Sequence, residues 1–194
     1  MSVKYGKFEM PQEISIDEET ATNNYTRFIA EPLERGFGHT LGNSMRRLML
    51  TALEAPAIIS VRMEGVPHEY MAIDGIVEDM TNIILNLKGA LLRKLPTEET
   101  ANTREPRILT SVLNVTQDDL DSNNGQYEVT LKDIIEEGIF EVVNPDLYIF
   151  SATKPMQCQI DMRVAFGRGF VHSERHEIYD RTTDEILIDA SFSP

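Results

Sequence analysis

Three glycines, Gly36, Gly38 and Gly42, surround the start of a segment with helical periodicity, GFGHTLGNSMRRLML. A glycine-rich turn that leads into a helix can cradle a phosphate, because its backbone N–H groups approach the ligand closely. The dinucleotide-binding fingerprint, however, needs a glycine where Leu41 stands, and no Gly-Lys-Ser/Thr follows to complete a P-loop. We therefore expect a tight turn with Thr40 as the helix N-cap, and we keep a small-ligand enzyme built on this turn as the alternative hypothesis.

The segment HSERH places His172 and His176 at the i, i+4 spacing that lets two helical histidines share a metal ion. The glutamate of the HExxH zinc motif is not in place, and the flanking residues have strand and loop composition. We therefore expect two exposed loop histidines. Cys158 is the single cysteine, and no pair of acids has a spacing that indicates an acid–base couple. We predict no catalytic residue, no metal site and no cofactor in this chain.

Acidic residues dominate the charge of the 194-residue chain, with 32 Asp and Glu against 18 Lys and Arg and a formal net charge of −14. Nucleic-acid affinity comes mainly from neutralised phosphates, so direct DNA or RNA binding is disfavoured and proteins are the expected partners. No apolar run approaches the ~20 residues that span a bilayer, and we expect no membrane association. With a single cysteine, a reducing compartment fits best.

The elements that position these residues follow from hydrophobic periodicity. Helical spacing predicts one helix over residues 40–52, closed by Pro56, and a second over 75–88. Alternating apolar and polar residues predict strands at 25–30, 57–66, 107–115, 126–131, 156–166 and 184–194, with a polar loop over 96–106. In strand 156–166 the alternation is strict, so we expect one buried and one solvated face. Few helices and many strands, without a βαβ rhythm, indicate the α+β class.

The first helix has two distinct faces. At about 100° per residue, one arc holds the residues that we call the apolar face, namely Leu41, Met45, Leu48, Met49 and Ala52. Leu50 lies roughly opposite, and we call Arg46, Arg47 and Leu50 the arginine face. A large apolar residue between arginines is typical of protein interfaces. An exposed leucine with two solvated arginines is equally common, and periodicity leaves both interpretations open.

These residues also carry a family resemblance. The motifs LERGFGHTLGNSMRRLML, VPHEY, EDMTNIILNLKG, GRGF and LIDASFSP resemble, in this order, those of the N-terminal domain of the bacterial RNA polymerase alpha subunit. The resemblance implies a non-catalytic subunit of DNA-directed RNA polymerase, a nucleotidyltransferase. In the family this domain dimerises and collects the two large subunits, beta and beta′, on opposite protomers. It also implies the bacterial cytoplasm near the nucleoid as the location, with a plastid origin as the alternative.

The resemblance further implies two subdomains and their contact residues. A dimerisation subdomain would comprise residues 1–54 and 180–194, and an inserted, mostly β subdomain would comprise residues 55–179. The family's beta-contacting arginine falls on Arg47, with Leu50 one turn later and Arg46 beside it. The residues implicated in beta′ contact fall on Lys88 and Ile188. The apolar face would then contact a second alpha chain at the dimer axis.

The chain also departs from the family pattern at its end. Family members continue past SFSP with further strands and a helix that packs on the first helix across the dimer interface. A linker and a small domain that binds promoter DNA follow. We therefore expect this chain to be a fragment, and DNA binding is not carried over to it. Without the dimerisation helix, we expect Met45, Leu48 and Met49 to be exposed, and such a surface promotes nonspecific association.

An acidic stretch at 174–185 precedes the last predicted strand, and its members are Glu174, Glu177, Asp180, Asp184 and Glu185. In some family members, acids in this region meet basic patches on transcription activators. A solvated acidic loop is the simpler interpretation, since exposed charge runs usually have no further role. We favour the solvated loop and keep activator contact as the alternative.

Overall fold

The computed structural model describes residues 8–22, 25–95, 105–135, 138 and 140–193. The chain divides into two compact units, Met1–Met49 and Leu50–Pro194. Residues 180–193 belong to the second unit. Most of the predicted polar loop at 96–106 lies outside the described residues.

The first unit contains a short hairpin and most of the first helix. Strand β1 (Ile14–Ile16) pairs antiparallel with β2 (Phe28–Ala30), which is shorter than the strand predicted over 25–30. Helix α1 (Phe37–Thr51) begins earlier than predicted, directly after Gly36, whose φ of 92° is incompatible with a helix. Thr40 therefore lies inside the helix, and its prediction as N-cap is wrong.

The second unit contains the remaining elements. Among the described residues, three are α-helices, α2 (Met80–Leu87), α3 (Gln117–Ser122) and α4 (Leu131–Ile134), and one is a 3-10 turn, Ser173–Arg175. The others are strands: β3 (Glu54–Met63), β4 (Leu92–Lys94), β5 (Arg107–Val115), β6 (Tyr127–Thr130), β7 (Phe140–Val142), β8 (Tyr148–Ala152), β9 (Met156–Arg168), β10 (Phe170–Val171), β11 (Ile186–Leu187) and β12 (Ala190–Ser191). This mixed architecture, dominated by antiparallel sheets, agrees with the predicted α+β class.

The central sheet has the strand order β11-β3-β9-β5, with antiparallel neighbours throughout. Two-stranded ladders join β4 with β7, β6 with β8, and β10 with β12. Pro56 lies within β3, opposite Phe166, so the prediction that it ends the first helix is wrong. Proline is tolerated there because β11 pairs only with Ser60 and Val61, and the outer edge of β3 at Pro56 needs no N–H donor from that ladder.

The main core forms where one face of β9 meets helix α2. The buried residues are Cys158, Ile160, Met162 and Val164 of β9 and Met80, Ile83, Ile84 and Leu87 of α2. Helix α2 starts later than the predicted residue 75, because Gly75 has a φ of 85° in a turn. Asp79 then caps the helix, accepting the Asn82 N–H at 2.8 Å. None of the described helices is both long and apolar enough to cross a membrane.

The end of the chain forms two short strands instead of the single predicted one. Strand β11 extends the central sheet, whereas β12 pairs with β10. Between them, Ile188 donates its N–H to the carbonyl of Ile59 at 2.8 Å and is 1% exposed. The segment is therefore fixed to β3 at the point where it changes partners.

Candidate protein interaction surfaces

Helix α1 buries none of its 15 residues. On the apolar face, Leu41, Met45, Leu48 and Met49 are 47%, 55%, 50% and 50% exposed, and Ala52, in the turn that follows the helix, is also exposed. A helix that packs on its own core normally buries a stripe of this kind. The apolar face of α1 is therefore available for a partner.

The arginine face lies on the same helix. Leu50 is 48% exposed, and Arg46 and Arg47 are both exposed. Because the arginines precede Leu50 by four and three residues, their side chains neighbour it on the helix surface. An arginine fork can hold a carboxylate or a carbonyl in a fixed orientation, and the adjacent leucine adds apolar contact area.

The three glycines at the start of α1 were predicted to form a tight turn, but they do not all lie in one. Only Gly36 has a positive φ and lies in the turn, whereas Gly38 and Gly42 are helical residues. A Cβ atom added at Gly38 or Gly42 would have nothing within 4 Å. A phosphate-binding loop uses its glycines outside the helix, so this arrangement disfavours the alternative of a small-ligand site.

Lys88 lies in the second unit, immediately after α2, where it is the C-cap residue. Its Nζ atom is 3.1 Å from Oδ2 of Asp189, and both side chains are about one third exposed, at 33% and 32%. The other carboxylate oxygen of Asp189, Oδ1, accepts the N–H of Ser173 at 2.8 Å. The sequence did not predict these contacts. The one pattern that could have pointed to Asp189 is its place between the buried residues Ile188 and Ala190, which puts it on the opposite face of the segment.

Lys88 and Ile188 lie close together in the second unit. Both line a shallow depression of about 240 Å³, together with Asp189 and the α2 residues Ile84 and Leu85. The Ile188 side chain itself is buried in the core of the second unit. The accessible lining of this depression therefore includes Lys88, Asp189 and the exposed Leu85 and Tyr70, with the Ile188 side chain buried beneath it.

A buried ion pair occupies the face of β9 that the sequence predicted to be solvated. Arg163 and Glu185 are each 6% exposed, and Nε of Arg163 lies 2.8 Å from Oε1 of Glu185. Ser60 also donates to Glu185, and Nη1 of Arg163 donates to Asp180 at 3.0 Å. The prediction that this face of β9 is wholly solvated is therefore wrong. Arg163 can be buried there because Glu185 neutralises its charge and accepts its hydrogen bonds.

The electrostatics of this pair favour both charged forms. Burial opposes ionisation of Glu185, but hydrogen bonds from Arg163 and Ser60 outweigh it and hold the pKa of the carboxyl below its ordinary value. The hydrogen bond to Glu185 raises the pKa of Arg163 still further above neutrality. The segment 180–185 is thereby fastened to the central sheet.

The acidic stretch 174–185 is therefore only partly a solvated loop. Glu185 is buried, Asp180 contacts Arg163, and Asp184 lies 3.8 Å from Arg62 across Nη1 and Oδ2. Within the described part of the chain, Glu174 and Glu177 are the exposed acids of this stretch that make no ion pair. The interpretation as an entirely solvated loop holds for these two residues and fails for Glu185.

The two histidines of HSERH do not share a helix face. A 3-10 turn, Ser173–Arg175, separates them, and Nε2 of His176 lies 2.9 Å from the carbonyl oxygen of Ile188. His172 is exposed, but His176 is only partly so, which corrects the prediction of two exposed histidines. Within the described part of the chain, no group of three or more His, Cys, Asp or Glu residues could hold a metal ion.

Comparison with known proteins gives consistent results for most of the chain. Residues 61–193 match the family model described as RNA polymerase Rpb3/RpoA insert domain. Over 194 residues the chain is 69% identical to a DNA-directed RNA polymerase subunit alpha of Protochlamydia amoebophila (strain UWE25), covering 100% of this chain and 52% of that protein. Over 184 residues it is 39% identical to the subunit of the same name from Geobacter metallireducens (strain ATCC 53774 / DSM 7210 / GS-15), covering 95% and 49%.

The chain thus spans about half the length of the curated relatives it matches. The match to the family model runs from within β3 to beyond β12 and includes Lys88, Ile188 and Asp189. The resemblance predicted from the motifs is confirmed, and the chain belongs to the family of bacterial DNA-directed RNA polymerase alpha subunits.

Proposed function

We propose that the chain is a non-catalytic assembly scaffold of a DNA-directed RNA polymerase that acts in transcription in the bacterial cytoplasm. The apolar face of α1 would contact a second copy, the arginine face would bind the beta subunit, and the surface at Lys88 and Ile188 would bind beta′. One observation carries this proposal: α1 buries none of its residues and presents apolar side chains on opposite faces.

The apolar face and the arginine face lie on opposite sides of α1, so one partner cannot bury both of them. Covering apolar surface contributes roughly 25 cal/mol for each Å² removed from water, so a helix exposed on both sides gains stability from two partners. The subdomain division, 1–54 with 180–194 and an insert of 55–179, is part of this proposal. With a net charge of −14, the chain would make no direct DNA contact.

A transcription activator is the remaining candidate partner. Among the described residues, Glu174 and Glu177 are the exposed acids of the stretch 174–185 that make no ion pair, and they would be the residues that a basic patch could reach. Glu185 would not take part, because Arg163 and Ser60 already occupy its carboxylate. Activator contact would therefore be restricted to the first part of this stretch.

Stepwise assembly with purified beta and beta′ tests the scaffold function. We expect Arg47→Ala to weaken capture of beta by about tenfold or more, because desolvated arginines are common interface hot spots. Lys88→Ala should leave beta capture intact and stall assembly before beta′ is incorporated. Binding is measured by pull-down and by interferometry with immobilised chain.

Matched substitutions separate contact from fold. Arg93→Ala removes a 68% exposed arginine paired with Glu141, and Lys154→Ala removes a lysine paired with Asp74, so both should assemble normally. Wild-type capture of beta by Arg47→Ala would refute the role of the arginine face. Normal incorporation of beta′ by Lys88→Ala would refute the second contact.

A further inference from the structure

Asp189 links three segments of the second unit through one carboxylate. Its Oδ1 atom accepts the N–H of Ser173 at 2.8 Å, and its Oδ2 atom accepts from Nζ of Lys88 at 3.1 Å. Ser173 begins the 3-10 turn, and Lys88 ends α2. The end of α2, the 3-10 turn and the segment before β12 therefore meet at this side chain.

The carboxylate is held more firmly than the lysine. The preceding residue, Ile188, is buried, donates its N–H to Ile59 at 2.8 Å, and accepts a contact from His176 at 2.9 Å. Lysine, in contrast, has a flexible four-carbon stem and loses rotamer entropy when it is fixed. The main-chain anchor at Ile188 therefore lets Asp189 set the position of Lys88, and not the reverse.

Asp189 is negatively charged at neutral pH. The backbone N–H of Ser173, followed by the hydrogen bond from Lys88, lowers the pKa of the carboxyl to about 2. The Asp189 carboxylate therefore stays ionised at neutral pH. One N–H of the Lys88 ammonium consequently donates to Asp189, and its other two N–H groups point away from Asp189.

We propose that Asp189 is a positioning residue for the beta′-binding surface, orienting Lys88 and the 3-10 turn as one rigid unit. The inference rests on the proposed contact between Lys88 and beta′. It opposes the simpler expectation that an acid beside a binding lysine competes with the partner for its charge. The two views predict opposite signs when the Asp189 charge is removed.

The test compares Asp189→Asn, Lys88→Ala and the double variant in beta′ binding to the preformed complex of chain and beta. We expect Asp189→Asn to weaken beta′ binding by about fivefold or more, within the range of measured pair couplings. In the Lys88→Ala background, Asp189→Asn should have little further effect, because both act through the same lysine. If Asp189 only stabilised the fold, the losses of beta′ binding in Asp189→Asn and Lys88→Ala would add up in the double variant.

A second readout does not depend on any partner. Hydrogen exchange of the Ser173 amide should accelerate in Asp189→Asn, since this N–H loses a charged acceptor. Asp74→Asn is the matched control, because Asp74 pairs with Lys154 at 2.7 Å on another part of the unit. It should change neither beta′ binding nor exchange at Ser173.

Tighter or unchanged beta′ binding in Asp189→Asn would overturn the inference, as would additive losses in the double variant. Unchanged exchange at Ser173 would also count against it. If Lys88→Ala binds beta′ normally, the proposed contact itself is refuted. Loss in Lys88→Ala without loss in Asp189→Asn would refute the positioning role alone.

Discussion

At the scale of single residues, this chain uses charged side chains in two different ways. Arg163 and Glu185 are buried together and join the segment 180–185 to the sheet. Lys88 and Asp189 are about one third exposed and lie at a candidate binding surface. Burial raises the cost of losing one partner, whereas solvent screens the exposed pair. We therefore expect the first pair to affect mainly stability, and we propose that the second affects recognition.

Replacing Arg163 by methionine should destabilise the second unit by about 3 kcal/mol, because it leaves the buried Glu185 carboxylate without its main partner. Chemical denaturation followed by circular dichroism measures the free energy of unfolding. Arg93→Met is the matched control: Arg93 pairs with Glu141 at 2.6 Å, but its side chain is 68% exposed. The control should lose less than about 1 kcal/mol.

Adding Glu185→Leu to Arg163→Met should recover a large part of the lost stability, since no buried charge is then left unpaired. An equal loss in Arg163→Met and Arg93→Met would show that the buried pair has no special role in stability.

At the scale of elements, sequence patterns predicted local periodicity well and missed contacts between distant segments. The alternation in β9 correctly indicated the buried face that holds Cys158 and Ile160. The same alternation assigned Arg163 to solvent, because the residue that covers it, Glu185, lies 22 positions later. The start of α2 was misplaced because Ile76 fits the helical pattern, although a turn at Gly75 and the cap at Asp79 exclude it from the helix.

The different backbone conformations of Gly36 and Gly42 at the start of α1 can be tested by substitution with alanine. Gly42→Ala should stabilise the helix by about 0.5–1 kcal/mol, because alanine has the higher helix propensity and its methyl group meets nothing within 4 Å. Gly36→Ala should instead destabilise the unit, since the φ of 92° strains any residue with a Cβ atom. Urea unfolding monitored at the helical signal measures both, and the same sign in both variants would contradict the assignment.

At the scale of the whole molecule, the candidate surfaces lie on both compact units. The apolar face belongs to α1, whereas the Lys88 surface lies in the second unit and is built from α2 and the end of the chain. Motifs could predict Lys88 and Ile188 as candidate contacts through the family resemblance. They could not predict Asp189 as their neighbour, because that proximity depends on the change of strand partner between β11 and β12.

The apolar face predicts a concentration-dependent dimer. We expect light scattering to give twice the mass of one chain at high concentration, and Leu48→Glu to reduce it to that of a monomer, because a buried charge opposes the contact. Val77→Glu is the control, since Val77 is a 59% exposed apolar residue in the second unit. A dimer that persists in Leu48→Glu would refute the apolar face as the contact.

The absence of buried residues in α1 also has an evolutionary consequence. Exposed positions usually change folding stability by less than about 0.5 kcal/mol when they are substituted. Most positions of this helix can therefore diverge between lineages with little cost to the folding of the chain itself. Selection on this helix, which carries the family motif GFGHTLGNSMRRLML, would therefore act through the proposed partner contacts more than through folding.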